Sequence, residues 1–114
     1  MSDTVTAPTV PDIDIDIGLE FVVMGDEERE HPFRVIIHND DVTPMDFVIK
    51  VLMNFFDLPF RKAIIVMYKA HRSGQALVTV LPYHKAHDKV YNAQSAARQF
   101  GYPLSFTLEP EDAI

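Results

Sequence analysis

The sequence predicts a small single-domain α+β sandwich, in which three helices pack against a three-stranded antiparallel sheet in the order β-α-α-β-α-β. Three observations lead there. Short stretches read as strands, "FRVIIH", "QALVTVL" and "LSFTL", rich in β-branched residues and bounded by turn residues. Longer stretches between them repeat apolar residues every three to four positions, the period of a helix with one buried face. At 114 residues the chain has room for one domain and a modest core.

Order is expected to begin at Pro32. The first strand, Phe33 to His38, sets Phe33, Val35 and Ile37 against Arg34, Ile36 and His38. After the turn "HNDDVTP", Thr43 fits an N-cap, Pro44 the first helical position and Asp46 the third, a capping box with Asp in place of Glu. Met45, Val48, Ile49, Leu52, Phe55 and Phe56 then share a face, and the helix should end near Phe56, before Asp57-Leu58-Pro59. A second helix follows from about Phe60 to Arg72, with Phe60, Ala63, Ile64, Met67 and Ala70 as its stripe and Gly74 as its stop. Gln75 to Leu81 is the second strand. From Pro82 to Phe100 the third helix carries Ala86, Val90, Ala93, Ala97 and Phe100, and Gly101 closes it. Leu104 to Leu108 is the last strand. No internal repeat is present.

Charge separates residues 1–31 from the domain. They hold nine Asp/Glu and one Arg, whereas residues 32–114 hold eight Asp/Glu against nine Lys/Arg. The first segment is therefore expected to be a flexible acidic extension and the remainder, 32–114, the folded core. A near-neutral body with an acidic extension suits a phosphate backbone poorly, which argues against nucleic acid as a partner. No apolar run reaches the roughly 18–20 residues of a membrane span. Without cysteine there is neither a disulfide nor a thiolate site.

The residues with chemistry cluster in the turn after the first strand. Asp40 and Asp41 are adjacent carboxylates that repel each other, and Asn39 adds an amide with both acceptor and donors. His71, in the last turn of the second helix, reaches the same edge of the sheet if the two helices form a hairpin. Together they offer several acceptors to an ammonium group, which has three donors and no acceptor. Structure alone offers competing accounts: an Asx turn before a helix, a histidine favoured by a helix C-terminus, and methionines as core filler. A metal-dependent enzyme using His38, Asp40, Asp41 and His71 is a second functional reading, and a purely structural interaction domain a third. His84 and His87 lie at i and i+3 near a helix start without a third ligand in sequence. No phosphate-binding loop or nucleophile elbow appears.

The runs "VIIHNDDVTPMDFVIKVLMNFF", "MYKAHRSGQA" and "YPLSFTLEPE" resemble the ClpS family of adaptor proteins over residues 32–110. The resemblance implies an adaptor without catalytic activity or cofactor. Such an adaptor binds proteins whose N-terminal residue is Leu, Phe, Tyr or Trp, the N-degrons, and delivers them to a ClpA or ClpC unfoldase working with ClpP. Position by position, it implies that Asn39, Asp41 and His71 hydrogen-bond the substrate's α-amino group, with Asp40 beside them. Thr43, Met45, Val48, Met67, Ala70 and Leu104 would wall the pocket for the first side chain, Met67 as a gatekeeper against Ile and Val. Ala70 is larger in many relatives, which makes this pocket roomier. His84, where many relatives carry an acid, and Lys89 would lie on the face that docks the N-terminal domain of the unfoldase. A monomer in a bacterial cytoplasm is expected; the leader is not of the Arg- and Ser-rich kind that directs a chain to a plastid.

Overall fold

A proline stands immediately before each of the three helices. The computed structural model describes residues 31–111, and in it the order is β1 (Pro32–His38), α1 (Met45–Phe56), α2 (Phe60–Ser73), β2 (Gln75–Pro82), α3 (Tyr83–Gln99) and β3 (Ser105–Pro110). Pro44, Pro59 and Pro82 are the N-cap residues, all with extended ψ between 147° and 154° and none with a side-chain cap. Their fixed φ suits the residue that leads into a helix, and the missing N–H costs nothing at an end where donors are orphaned anyway. The Pro44 carbonyl accepts the amides of Phe47 and Val48, each at 3.1 Å, and the Pro59 carbonyl accepts that of Ala63 at 2.9 Å.

This corrects the capping box expected at Thr43 and Asp46. Thr43 lies one residue too early to cap, Pro44 is the cap and not the first helical residue, and the Thr43 hydroxyl is committed elsewhere. The extension expected over residues 1–31 falls outside the described residues up to residue 30, as does the end of the tail.

The sheet is antiparallel in the order β2-β1-β3, so the first strand is central. Val35 and Ile37 of this central strand join the core cluster, and Ile36, which alternation points to the opposite face, is buried as well. The three helices supply the rest of the core, through Val48, Val51, Leu52 and Phe56 of α1, Ala63, Val66, Met67 and Ala70 of α2, and Ala86, Ala93 and Ala97 of α3. The three alanines of α3 are fully buried, and their small side chains let that helix approach closely. Three residues of the expected apolar stripes are exposed: Met45 41%, Phe60 57% and Phe100 66%. Phe100 instead stacks on Tyr102 (ring centroids 6.0 Å apart), and both lie edge-on to Phe47.

Candidate functional site

The site is assembled where the end of β1 meets the end of α2. Gly74 closes α2 in the left-handed region, with φ 93°, and its amide bonds the Ala70 carbonyl at 2.8 Å. A side chain at that φ would be strained, so glycine is required by the backbone rather than by packing. The carbonyl of the same Gly74 accepts the Asn39 amide at 2.9 Å, one step beyond the last strand pair, His38 with Gln75. The α2 end that carries His71 is thereby tied to the turn that carries the two aspartates.

Within the turn, Asp40 and Asp41 have different circumstances. Asp40 Oδ1 accepts the amides of Val42 at 2.8 Å and Thr43 at 2.7 Å, while Oδ2 accepts the Thr43 hydroxyl at 2.9 Å. Burial raises the Asp40 pKa, but the Thr43 and Val42 amides, the Thr43 hydroxyl and the charge of Arg98 outweigh it and leave the carboxyl below its ordinary value. Asp41 is exposed, as are Asn39 and His71, and among the described residues none of the three side chains has a hydrogen bond or ion pair. Asp40 thus folds the turn, and Asp41 is the carboxylate free to meet a ligand. Half of the turn is thus the Asx turn that the sequence offered as a structural account, reinforced by a threonine.

A cavity of about 290 Å³ opens beside these groups. Asn39, Asp40, Asp41 and His71 line its polar side; Thr43, Met45, Val48, Met67, Ala70 and Leu104 line the remainder. Every residue singled out in the sequence for the amine and the side-chain pocket therefore borders one space. Val48, Met67, Ala70 and Leu104 are buried, so those walls belong to the core, while Met45 is 41% exposed at the rim. The pocket reading left out Ile37, Val42, Pro44 and His38 (the last named only for the metal reading), which also line it. The inward alternation of β1 marked Ile37 for the core, and Val42 and Pro44 sit inside the turn already singled out. His84 and Lys89 do not border the cavity. They lie on α3, five residues and so about 140° apart around the helix, and the Lys89 ammonium donates to the Phe55 carbonyl at 3.2 Å and pairs with Asp57 at 3.3 Å.

His38 Nε2 is hydrogen-bonded to Thr107 Oγ1 at 2.8 Å and Asp40 is used by the turn, and no three His, Asp or Glu side chains among the described residues converge on a point. Nor is any helix among the described residues long and apolar enough to cross a membrane. What the geometry can do is bind: an uncommitted carboxylate, an amide and an imidazole stand at the mouth of an apolar space of side-chain size.

Comparison with known proteins follows the same line. The family described as ATP-dependent Clp protease adaptor protein ClpS matches residues 28–107. The ATP-dependent Clp protease adapter protein ClpS of Ruegeria sp. (strain TM1040) is 36% identical over 102 residues, spanning 90% of this chain and 90% of its own. ClpS 2 of Mesorhizobium japonicum is 42% identical over 85 residues, 75% of this chain and 84% of that one. The solved structure of Agrobacterium tumefaciens ClpS2 bound to L-phenylalaninamide superposes with a TM-score of 0.69 at 38% identity, covering 73% of this chain and 100% of its own.

Proposed function

The chain belongs to the ClpS family, adaptors of the ATP-dependent Clp protease and not enzymes, and from that premise we propose that its cavity reads the N-terminal residue of substrate proteins. The ligand is a polypeptide beginning with Phe, Tyr, Trp or Leu and bearing a free α-amine. The observation that carries this reading is the union, in one cavity, of Asn39, Asp41 and His71 with the apolar walls of Val48, Met67, Ala70 and Leu104. A related ClpS2 is known with phenylalaninamide, a molecule having just those two features, an α-amine and an aromatic side chain.

The chemistry is additive in kind. An α-amine has a pKa of about 7.7–8.0, so most of it is cationic at neutral pH, and Asp41 supplies the opposite charge. Charge-assisted hydrogen bonds contribute roughly 1.5–3 kcal/mol each. An acetylated terminus or an internal residue has neither the charge nor most of the donors. Burying a Leu or Phe side chain contributes a further 1.5–3 kcal/mol or so. A polar or small first residue forfeits that half.

Bound substrates are then handed to a ClpA or ClpC unfoldase coupled to ClpP, by a monomeric adaptor acting in the bacterial cytoplasm. His84 and Lys89 are assigned to the docking face and residues 1–31 to the hand-over. Degradation of a reporter protein beginning with Phe tests the whole scheme: the unfoldase and ClpP should degrade it faster when this adaptor is added, and a Ser-first reporter should be unaffected. Equal rates with and without the adaptor would contradict delivery.

A further inference from the structure

Leu104, 1% exposed, is both core and cavity wall, and lines the same cavity as the turn that Asp40 folds. It lies not in β3 but in the irregular segment just before it, so no sheet bond holds its carbonyl. Two side chains of α3, one turn apart, grip this stretch. Gln94 Oε1 accepts the Phe106 amide at 2.8 Å. Arg98 Nη1 donates to the Tyr102 carbonyl and to the Leu104 carbonyl, both at 2.8 Å, and its two hydrogens match its two acceptors. The ring of Tyr102 packs on Phe47 with centroids 4.9 Å apart, which steadies side chains but leaves the two carbonyls to Arg98.

We propose that Arg98 is a positioning residue for the cavity, fixing the Leu104 wall relative to the loop that Asp40 folds so that the apolar contacts and the amine-reading groups keep one spacing. The proposal rests on the reading of the site as a pocket for an amine and its side chain. Arg98 reaches the loop by charge: after the Thr43 and Val42 bonds, its guanidinium is a further influence holding the Asp40 carboxyl below its ordinary value. This also accounts for the adjacent acids. The guanidinium charge that acts on Asp40 would disfavour an ammonium in the site, and Asp40 offsets it while Asp41 remains for the ligand. Lysine cannot take the place of Arg98 fully: its ammonium has donors enough for both carbonyls, but it sits on a shorter, flexible stem without the planar rigidity that holds Nη1 between them.

The test uses the full chain with Arg98→Gln and Arg98→Lys, and three readouts: amide hydrogen exchange at Val42 and Thr43, affinity for a fluorescent Phe-first peptide, and Tm. Exchange at both amides should quicken in Arg98→Gln, although Arg98 bonds neither of them. Peptide affinity should fall by about tenfold or more at a temperature where the variant is fully folded, the loss expected when a charged hydrogen bond organising a site is removed. Arg98→Lys should fall between the two. A lowered Tm with either exchange or affinity as in the wild type would overturn the proposal, since that is the pattern of a purely structural residue. If the wild type itself bound no peptide, the reading of the site would fail, and unchanged exchange at Val42 and Thr43 would separately sink the coupling.

Discussion

Asp40 and Thr43 close a turn on themselves: Oδ1 of the aspartate accepts the threonine amide at 2.7 Å and Oδ2 accepts its hydroxyl at 2.9 Å. Neighbouring Asp41 takes no part. A pair of acids that looks like one feature in the sequence is two, one folding the loop and one left uncommitted beside the cavity.

Removing the first should therefore cost stability before it costs recognition. Asp40→Ala takes the acceptor from the exposed Val42 amide and the half-buried Thr43 amide, a loss of roughly 0.5–1.5 kcal/mol per bond, and for a domain of this size each kcal/mol corresponds to about 4–8 °C in Tm. The effect should depend on pH. Because the folded-state pKa is depressed, the carboxylate's contribution is complete above the unfolded value of about 3.9 and is lost as pH falls through the lower folded value. Thermal melts of wild type and Asp40→Asn should thus differ most at neutral pH and converge in acid; a gap that widens below pH 4 would contradict the assignment.

Changing the second should do the reverse. Asp41→Asn and His71→Ala are predicted to leave Tm within a degree or two, since both side chains are exposed and unbonded among the described residues. Affinity for a free Phe-first peptide should drop, by about tenfold or more for the loss of a charge-assisted bond. Fluorescence anisotropy at matched ionic strength checks this. Affinity unchanged in both variants would move the amine elsewhere.

Met67 is predicted to set the shape of side chain accepted. It is 5% exposed and borders the cavity, where a first residue branched at Cβ would place a methyl against its thioether. Met67→Ala should admit Ile- and Val-first peptides, at a stability cost of about 2–5 kcal/mol for the truncated core side chain. Unaltered discrimination between Leu and Val in a variant that is still folded would show that another wall excludes them.

Deleting residues 1–31 is predicted to leave peptide affinity as it is, because the described residues that line the cavity fall between Ile37 and Leu104. Degradation of a Phe-first reporter by the unfoldase and its peptidase should nonetheless slow. A truncated chain that lost peptide binding would bring the extension into recognition.

Much of this was legible in the sequence, and the exceptions have physical causes. Helical periodicity, with Asp57-Leu58-Pro59 as a break, located the two-helix hairpin, and that hairpin is what carries His71 to the β1 end. The start of α1 was misread because "TPMD" satisfies a capping pattern, yet the Thr43 hydroxyl found a nearer acceptor in Asp40. Nothing in the letters separates Asp40 from Asp41; only the path of the turn does. Arg98 was invisible for a similar reason. An arginine in the last turn of a helix reads as a surface charge favoured by the dipole, and its two carbonyl partners are set by how the chain re-enters the sheet.

The central claim is that one cavity reads a free α-amine and a large apolar side chain together. The most direct measurement titrates the protein with three fluorescent peptides alike except at the start: free Phe, N-acetylated Phe and free Ser. Low-micromolar or tighter binding of the free Phe peptide alone is predicted, because each of the others lacks one half of the interaction. Comparable binding of the acetylated peptide, or none by any of the three, would contradict it.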